Sequence, residues 1–241
     1  MIGTVINAVA IVGGAALGGS RRGLISASRQ QQIKSLLAVL TVGAGFMLIW
    51  RGLWGGFGMV LKELGIGLLA MVLGPLIGRW LHLQQLSNRA GEYARQRMAA
   101  AKPDAPGAFS DGLVTASLLF CTAPLSLLGA LEDGLHGFWM LLVIKAVMDG
   151  MAAMTFTRIF GWGVRLSFLP VVAWQGFWTL GGAAIAQAWQ AGYPAVLHSI
   201  HLAAGFICLS VAIVIFEVRK VELTDYLPSL VVAPLLTWWW L

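Results

Sequence analysis

Charge is scarce in this sequence: Asp, Glu, Lys and Arg make up 11% of its 241 residues, while hydrophobic types make up 59%, against roughly a quarter charged in soluble domains. That scarcity excludes a soluble fold of this size, which has no means of hiding so much apolar surface; lipid can cover it instead. Only two cysteines occur, Cys121 and Cys208, both inside apolar runs, so neither a disulfide framework nor a paired-cysteine metal site is available. A formal net charge of +6 would suit nucleic acid if the basic residues formed a stripe, but they fall in short gaps between uncharged runs. Phospholipid headgroups account for that distribution, and no nucleic-acid partner is expected. Phosphate-binding glycine loops, nucleophile elbows and paired-histidine zinc motifs are missing as well. His198 and His201 stand at i and i+3 with no third ligand at a suitable spacing, and no nucleophile and base are placed to cooperate. Neither metal, cofactor nor enzymatic activity is expected.

What is present is a series of long apolar runs. A hydrocarbon core about 30 Å thick takes roughly 20 apolar residues per helix, and runs fall near 2–19, 33–50, 60–80, 110–131, 137–157, 163–187, 197–217 and 226–241. They predict an all-α, polytopic transmembrane bundle of about eight helices, the last of them short and either a span or a re-entrant segment. Met1 leads into the first run without a basic region, so that segment is expected to be kept as a helix rather than cleaved as a signal peptide. Thirteen Lys and Arg residues lie in the odd-numbered gaps, Arg21, Arg22 and Lys102 among them, and only Arg51 and Lys62 in the even ones. The imbalance puts the odd loops in the cytoplasm and both termini outside. The longest gap, 83–108, reads as a basic surface helix followed by the linker Lys102-Pro103-Asp104-Ala105-Pro106-Gly107, lying on anionic lipid or offering a regulatory partner a contact surface.

Three short echoes recur in order. Gly13-Gly14-Ala15-Ala16 returns as Gly181-Gly182-Ala183-Ala184, Ala44-Gly45-Phe46 as Ala204-Gly205-Phe206, and Val72-Leu73-Gly74-Pro75-Leu76 as Val231-Val232-Ala233-Pro234-Leu235. The copies lie five spans apart, an odd number, and so have opposite orientations. That is the mark of an inverted repeat, a design by which secondary transporters expose a midplane site to each side in turn; close helix packing by small residues is the alternative. A single membrane domain over 1–241 is thus expected to hold a first three-helix repeat (1–82), the basic cytoplasmic loop (83–108), a unique central pair (109–160) and a second repeat (161–241).

The polar residues inside the runs nominate a site. Lys145 and Asp149 occupy one face of the fifth span at i and i+4. An uncompensated charge at that depth costs several kcal/mol, so the two are expected to neutralise each other and to bind an ion or solute, or else to fix packing. Asn7 and Gln175 each precede the repeated Gly-Gly-Ala-Ala by six residues and can supply amide groups to one shared site or bond between helices. Thr115 and Ser117 add hydroxyls in the fourth span, where Pro124 breaks the helix. Asp111, at the start of that span, is a further candidate or a helix cap. Glu132 and Asp133 read as an acidic outer vestibule or a short polar turn. Gly74-x-x-x-Gly78 packs either within the chain or against a second copy in a homo-oligomer.

Gly3-Thr4-Val5-Ile6-Asn7, the stretch from Asp111 to Cys121, Leu131-Glu132-Asp133-Gly134, Lys145-Ala146-Val147-Met148-Asp149-Gly150, Gln175-Gly176 and Leu227-Pro228-Ser229-Leu230 together resemble the YqgA-like family of bacterial inner-membrane proteins over nearly the whole chain. The resemblance implies a multi-pass inner-membrane protein, a loose link to biofilm formation, and no established substrate. It departs at Pro124, where the family more usually has alanine, and in the terminal Trp238-Trp239-Trp240. Two functions are therefore expected to compete: a small secondary transporter or ion-coupled carrier of an unknown solute or ion, and a membrane scaffold or regulator acting through partners.

Overall fold

A computed structural model describes residues 1–20, 25–101, 107–189 and 193–240. Arg21, Arg22, the linker from Lys102 to Pro106 and Leu241 lie outside the described residues. Every apolar run is helical, and no strand occurs among the described residues. The elements are α1 (Ile2–Gly18), α2 (Ala27–Gly52), α3 (Phe57–Trp80), α4 (Leu83–Ala100), α5 (Ala108–Thr122), α6 (Pro124–His136), α7 (Met140–Phe160), α8 (Phe168–Trp189), α9 (Pro194–Ile215) and α10 (Ser229–Trp240). Short 3-10 stretches, Gly161–Ser167 and Leu223–Tyr226, precede α8 and α10. Helix is the form that satisfies every backbone group within its own segment, as lipid demands.

By length and hydropathy α2, α3, α9 and the continuous stretch of α7 and α8 can cross a membrane, and α5 with α6, joined at a 61° bend, passes the same test only as a pair. The bend is local chemistry. Pro124 has no N–H to give α5, so α5 stops at Thr122 and Pro124 starts α6 as its first residue. Gly137, at φ 68°, ends α6 in the left-handed region, and Phe138 N–H closes back on the Glu132 carbonyl at 3.2 Å. α1 and α10 are the short apolar helices, with 17 and 12 residues.

The chain forms two compact units. One contains residues 1–32 and 86–182. In it α1 lies parallel to α7: Gly3 meets Leu142, Gly14 the backbone of Gly150, and Gly18 the backbone of Met154. α8 runs parallel to α6, with Gln175 bonded to Ser126 and Gly182 against the Leu131 carbonyl. Ile11, Ala15, Ala116, Phe120, Ala153, Phe160, Val164 and Val171 form its core. The basic helix α4 is attached to this core through Met98, and its Arg97 pairs with Asp111 at 3.1 Å.

The other unit contains residues 33–85 and 183–241. α9 runs antiparallel to α2, Cys208 donating to the Thr41 carbonyl, Gly205 facing Gly45, and His198 lying beside Gly52. α10 runs antiparallel to α3, where Ser229 donates to the Ala70 carbonyl at 3.0 Å and Gly74 and Gly78 receive Ser229 and Asp225. The Gly74-x-x-x-Gly78 motif is thus used within the chain. Within the first unit α1 and α7 are thus parallel, as are α6 and α8; within the second, α2 and α9 are antiparallel, as are α3 and α10.

Association of helices in lipid depends on close backbone approach, which separates the two glycines of the first echo. A methyl group on Gly14 would collide with the Gly150 carbonyl, whereas one on Gly13 meets nothing within 4 Å. Gly14→Ala should destabilise the purified protein by about 1–3 kcal/mol and Gly13→Ala should leave it unchanged or raise its stability by up to about 1 kcal/mol; thermal unfolding of both variants in lipid nanodiscs checks the contrast.

Candidate functional site

Two successive turns of α7 present Lys145 and Asp149 to the same side, and both are buried, with 2% and 7% of their surface exposed. They form an ion pair. α1 can come close enough to join them because Gly3, Gly14 and Gly18 face α7, and between these glycines it places Asn7. The Asn7 amide nitrogen donates to Asp149 Oδ2 at 3.1 Å, the same oxygen that takes the lysine. The carboxylate only accepts, so the amide orientation is set by chemistry. The Asn7 amide oxygen is then left buried with no partner in the protein.

Lys145 has a second neighbour. Its ammonium lies 5.7 Å from the centroid of the Phe120 ring, a cation–π contact from α5 two residues before that helix ends. The pair is therefore held from three sides, by α1, by α7 itself and by the end of α5 next to the break. Removing two charges from water costs several kcal/mol per ion, repaid only where the pair is close and its other valences are bonded. Here one carboxylate oxygen carries two donors, and the ammonium has an aromatic face.

Gln175 does not join Asn7. From α8 it donates to Ser126 Oγ on α6 at 3.2 Å, and its own amide oxygen finds no partner. Gly129 on α6 packs against Leu141 and Leu142 on α7. Ser126 and Lys145 lie three residues from that contact along antiparallel helices, so the two amides serve neighbouring levels of the central pair. Thr115 is fully buried with an unpartnered hydroxyl. Ser117 instead bonds back to the Leu113 carbonyl at 2.6 Å, and Asp111 is engaged by Arg97.

The acidic residues at the end of α6 are not an open patch. Glu132 and Asp133 are both buried, and Asp133 accepts the Gly3 N–H at 3.3 Å, where a carboxylate favours the start of α1. Their nearness to a turn in sequence did not reveal which face of α6 they occupy. Sequence reasoning also passed over Phe120 and Ser126, and, in the other unit, Glu63. Ser126 carried a faint signal, a small polar residue two places beyond the helix-breaking Pro124. Glu63 was hidden beside Lys62 at the edge of an apolar run; it is fully buried, and Trp54 Nε1 donates to it at 2.9 Å.

The pair lends itself to a stability test. Asp149→Ala leaves a buried ammonium without its counter-charge and should cost about 3–5 kcal/mol, while the double replacement Lys145→Met with Asp149→Leu should restore wild-type stability to within about 1 kcal/mol. Denaturation of the three proteins in one detergent measures both effects.

A family model described as a protein of unknown function, DUF554, matches residues 2–238. The uncharacterized membrane protein YdfK of Bacillus subtilis is 26% identical over 97% of this chain and 94% of its own length. The uncharacterized protein YqgA of Escherichia coli is also 26% identical, covering 99% of this chain and 97% of its own length. No solved structure matches the fold. With the family model matched over almost its whole length, and a named membrane protein among its relatives, this all-helical chain belongs to the DUF554 family.

Proposed function

We propose that the protein is a small secondary transporter or ion-coupled carrier of the bacterial inner membrane, with Asp149 as its ligand-binding carboxylate. The observation that carries this reading is the Asp149 cluster: a buried ion pair with an amide donor on the same oxygen and an unsatisfied amide oxygen beside it. A structural pair is readily replaced by apolar side chains, whereas a carboxylate whose counter-ion is a flexible lysine can exchange that lysine for an arriving cation or proton. The bent span beside it is the form in which transporters expose polar groups at membrane depth. The reading assigns no catalytic step, no cofactor and no nucleic acid; its partners are lipid and a small solute or ion.

Packing within each unit supports the inverted repeat. Gly45 and Gly205, the middle residues of one echo, face each other directly. Ala70 and Ser229 each stand four residues ahead of the echoed Gly74 and Ala233, and they too are bonded together. Equivalent residues meet in this way where a two-fold axis passes between them. Gly14 and Gly182, the second glycines of another echo, both pack on backbone of the central helices, while Gly13 and Gly181 face open space. Helical spans also favour the inner membrane, since outer-membrane proteins are closed barrels, and the charge imbalance favours external termini.

Current across supported membranes carrying the full chain, with stepped pH, sodium and a panel of small solutes, tests the assignment. A transient should appear for one ligand class and fall by about tenfold or more in Asp149→Asn, equivalent to roughly 1.4 kcal/mol of lost binding. Folded protein that stays silent across the panel defeats it, and if deletion of 89–102 alone abolishes the cellular phenotype, a scaffold acting through α4 replaces it. A reporter fused to the C-terminus should be active only outside the cytoplasm; activity inside overturns the orientation.

A further inference from the structure

The second unit holds a buried acid that the carrier reading does not use. Glu63 stands in the second turn of α3 and is fully buried. One of its oxygens accepts the Trp54 indole N–H at 2.9 Å; the other is buried with no hydrogen-bond partner. The Trp54 ring is stacked on His198 of α9, with 5.7 Å between centroids and 20° between planes. His198 Nδ1 lies 3.0 Å from the Arg51 carbonyl at the end of α2. A carbonyl only accepts, so Nδ1 carries a hydrogen, and Nε2 is the nitrogen that gains or loses a proton. His198 is within electrostatic reach of the Glu63 carboxylate.

The geometry points to a proton-binding site made by Glu63 and His198, with Trp54 between them, at the end of the second unit where α2 joins α3. Three observations favour a proton over a metal ion. A fully buried carboxylate can take up a proton without displacing a neighbour. The groups around it are an indole N–H donor and an imidazole, whereas hard cations call for several oxygen ligands. And the oxygen without a partner is the atom a proton would occupy, turning an unsatisfied acceptor into a hydroxyl. The step is a simple balance: carboxylate and proton give carboxylic acid at Glu63, and the proton comes from His198 Nε2 or from water reached past Trp54 and His198, which are both partly exposed. No other bond changes.

The other charged groups near this end do not substitute for His198. Lys62 and Arg51 are exposed. On α9, His201 is buried one turn beyond His198. On the side of α3 that faces α10, Asp225 lies near Gly78, about four turns away along the helix. The inference does not depend on the transport assignment, because protonation is read without any flux.

Glutamate-selective isotope labelling of the full chain in nanodiscs, followed by infrared spectroscopy of the protonated carboxyl stretch, tests it among the five glutamates of the sequence. A band that disappears as pH rises is expected, and it should be absent from Glu63→Gln. His198→Gln should shift the pH at which it disappears. If Glu63→Gln does not fold, Trp54→Phe removes the indole donor and should change the frequency of the same band. The site is overturned if no such band titrates, if it survives Glu63→Gln, or if neither His198→Gln nor Trp54→Phe alters it.

Discussion

The close crossing of α1 on α7 is the constraint on which the buried chemistry of the first unit depends. Lipid gives helices no hydrophobic reason to associate, so contact must come from shape and from hydrogen bonds. Gly3, Gly14 and Gly18 provide the shape, and only because they bring the two backbones together does a side chain as short as Asn7 reach Asp149. Asn7 in turn gives the ion pair a donor it would otherwise have to find in water. The glycine face and the polar cluster are therefore one device, the first bringing Asn7 within reach of the second.

The same economy is visible across the fold. Gly182 brings α8 against α6 as Gly14 brings α1 against α7, and each approach is accompanied by one amide bond, Gln175 to Ser126 in the first case and Asn7 to Asp149 in the second. In the second unit glycine meets glycine at Gly45 and Gly205, and a serine hydroxyl caps a carbonyl at Ala70. Each unit takes helices from both expected repeats, and two of the three echoes mark helices that touch, α2 with α9 and α3 with α10, while the third marks α1 and α8, which pack on α7 and α6.

Much of this was legible in the sequence, for identifiable reasons. Hydropathy locates helices because lipid selects on composition alone, and Lys145 and Asp149 stood out because charge in an apolar run is costly. The break at Pro124 was legible because a missing N–H acts locally. What could not be read is what depends on how each helix is rotated about its axis. Glu132 and Asp133 lie close to a turn yet face inward, Ser117 spends its hydroxyl on its own helix, and Phe120 is indistinguishable from any lipid-facing phenylalanine until its ring is seen against Lys145. Rotation is fixed by long-range packing, and a single chain of letters records only the residues that permit it.

Two of the buried carboxylates, Asp149 and Glu63, make an instructive contrast. Asp149 carries its own ammonium one turn away, so its charge is balanced within a single helix whatever the neighbouring helices do. Glu63 has only an indole donor and, stacked on that indole, the imidazole of His198. A carboxylate with a counter-ion on its own helix keeps that partner until a competitor arrives, while one whose second oxygen has no partner is open to a proton. The first arrangement fits the carrier we propose and the second the proton site we propose, so carboxylates alike in burial differ in the chemistry their neighbours allow.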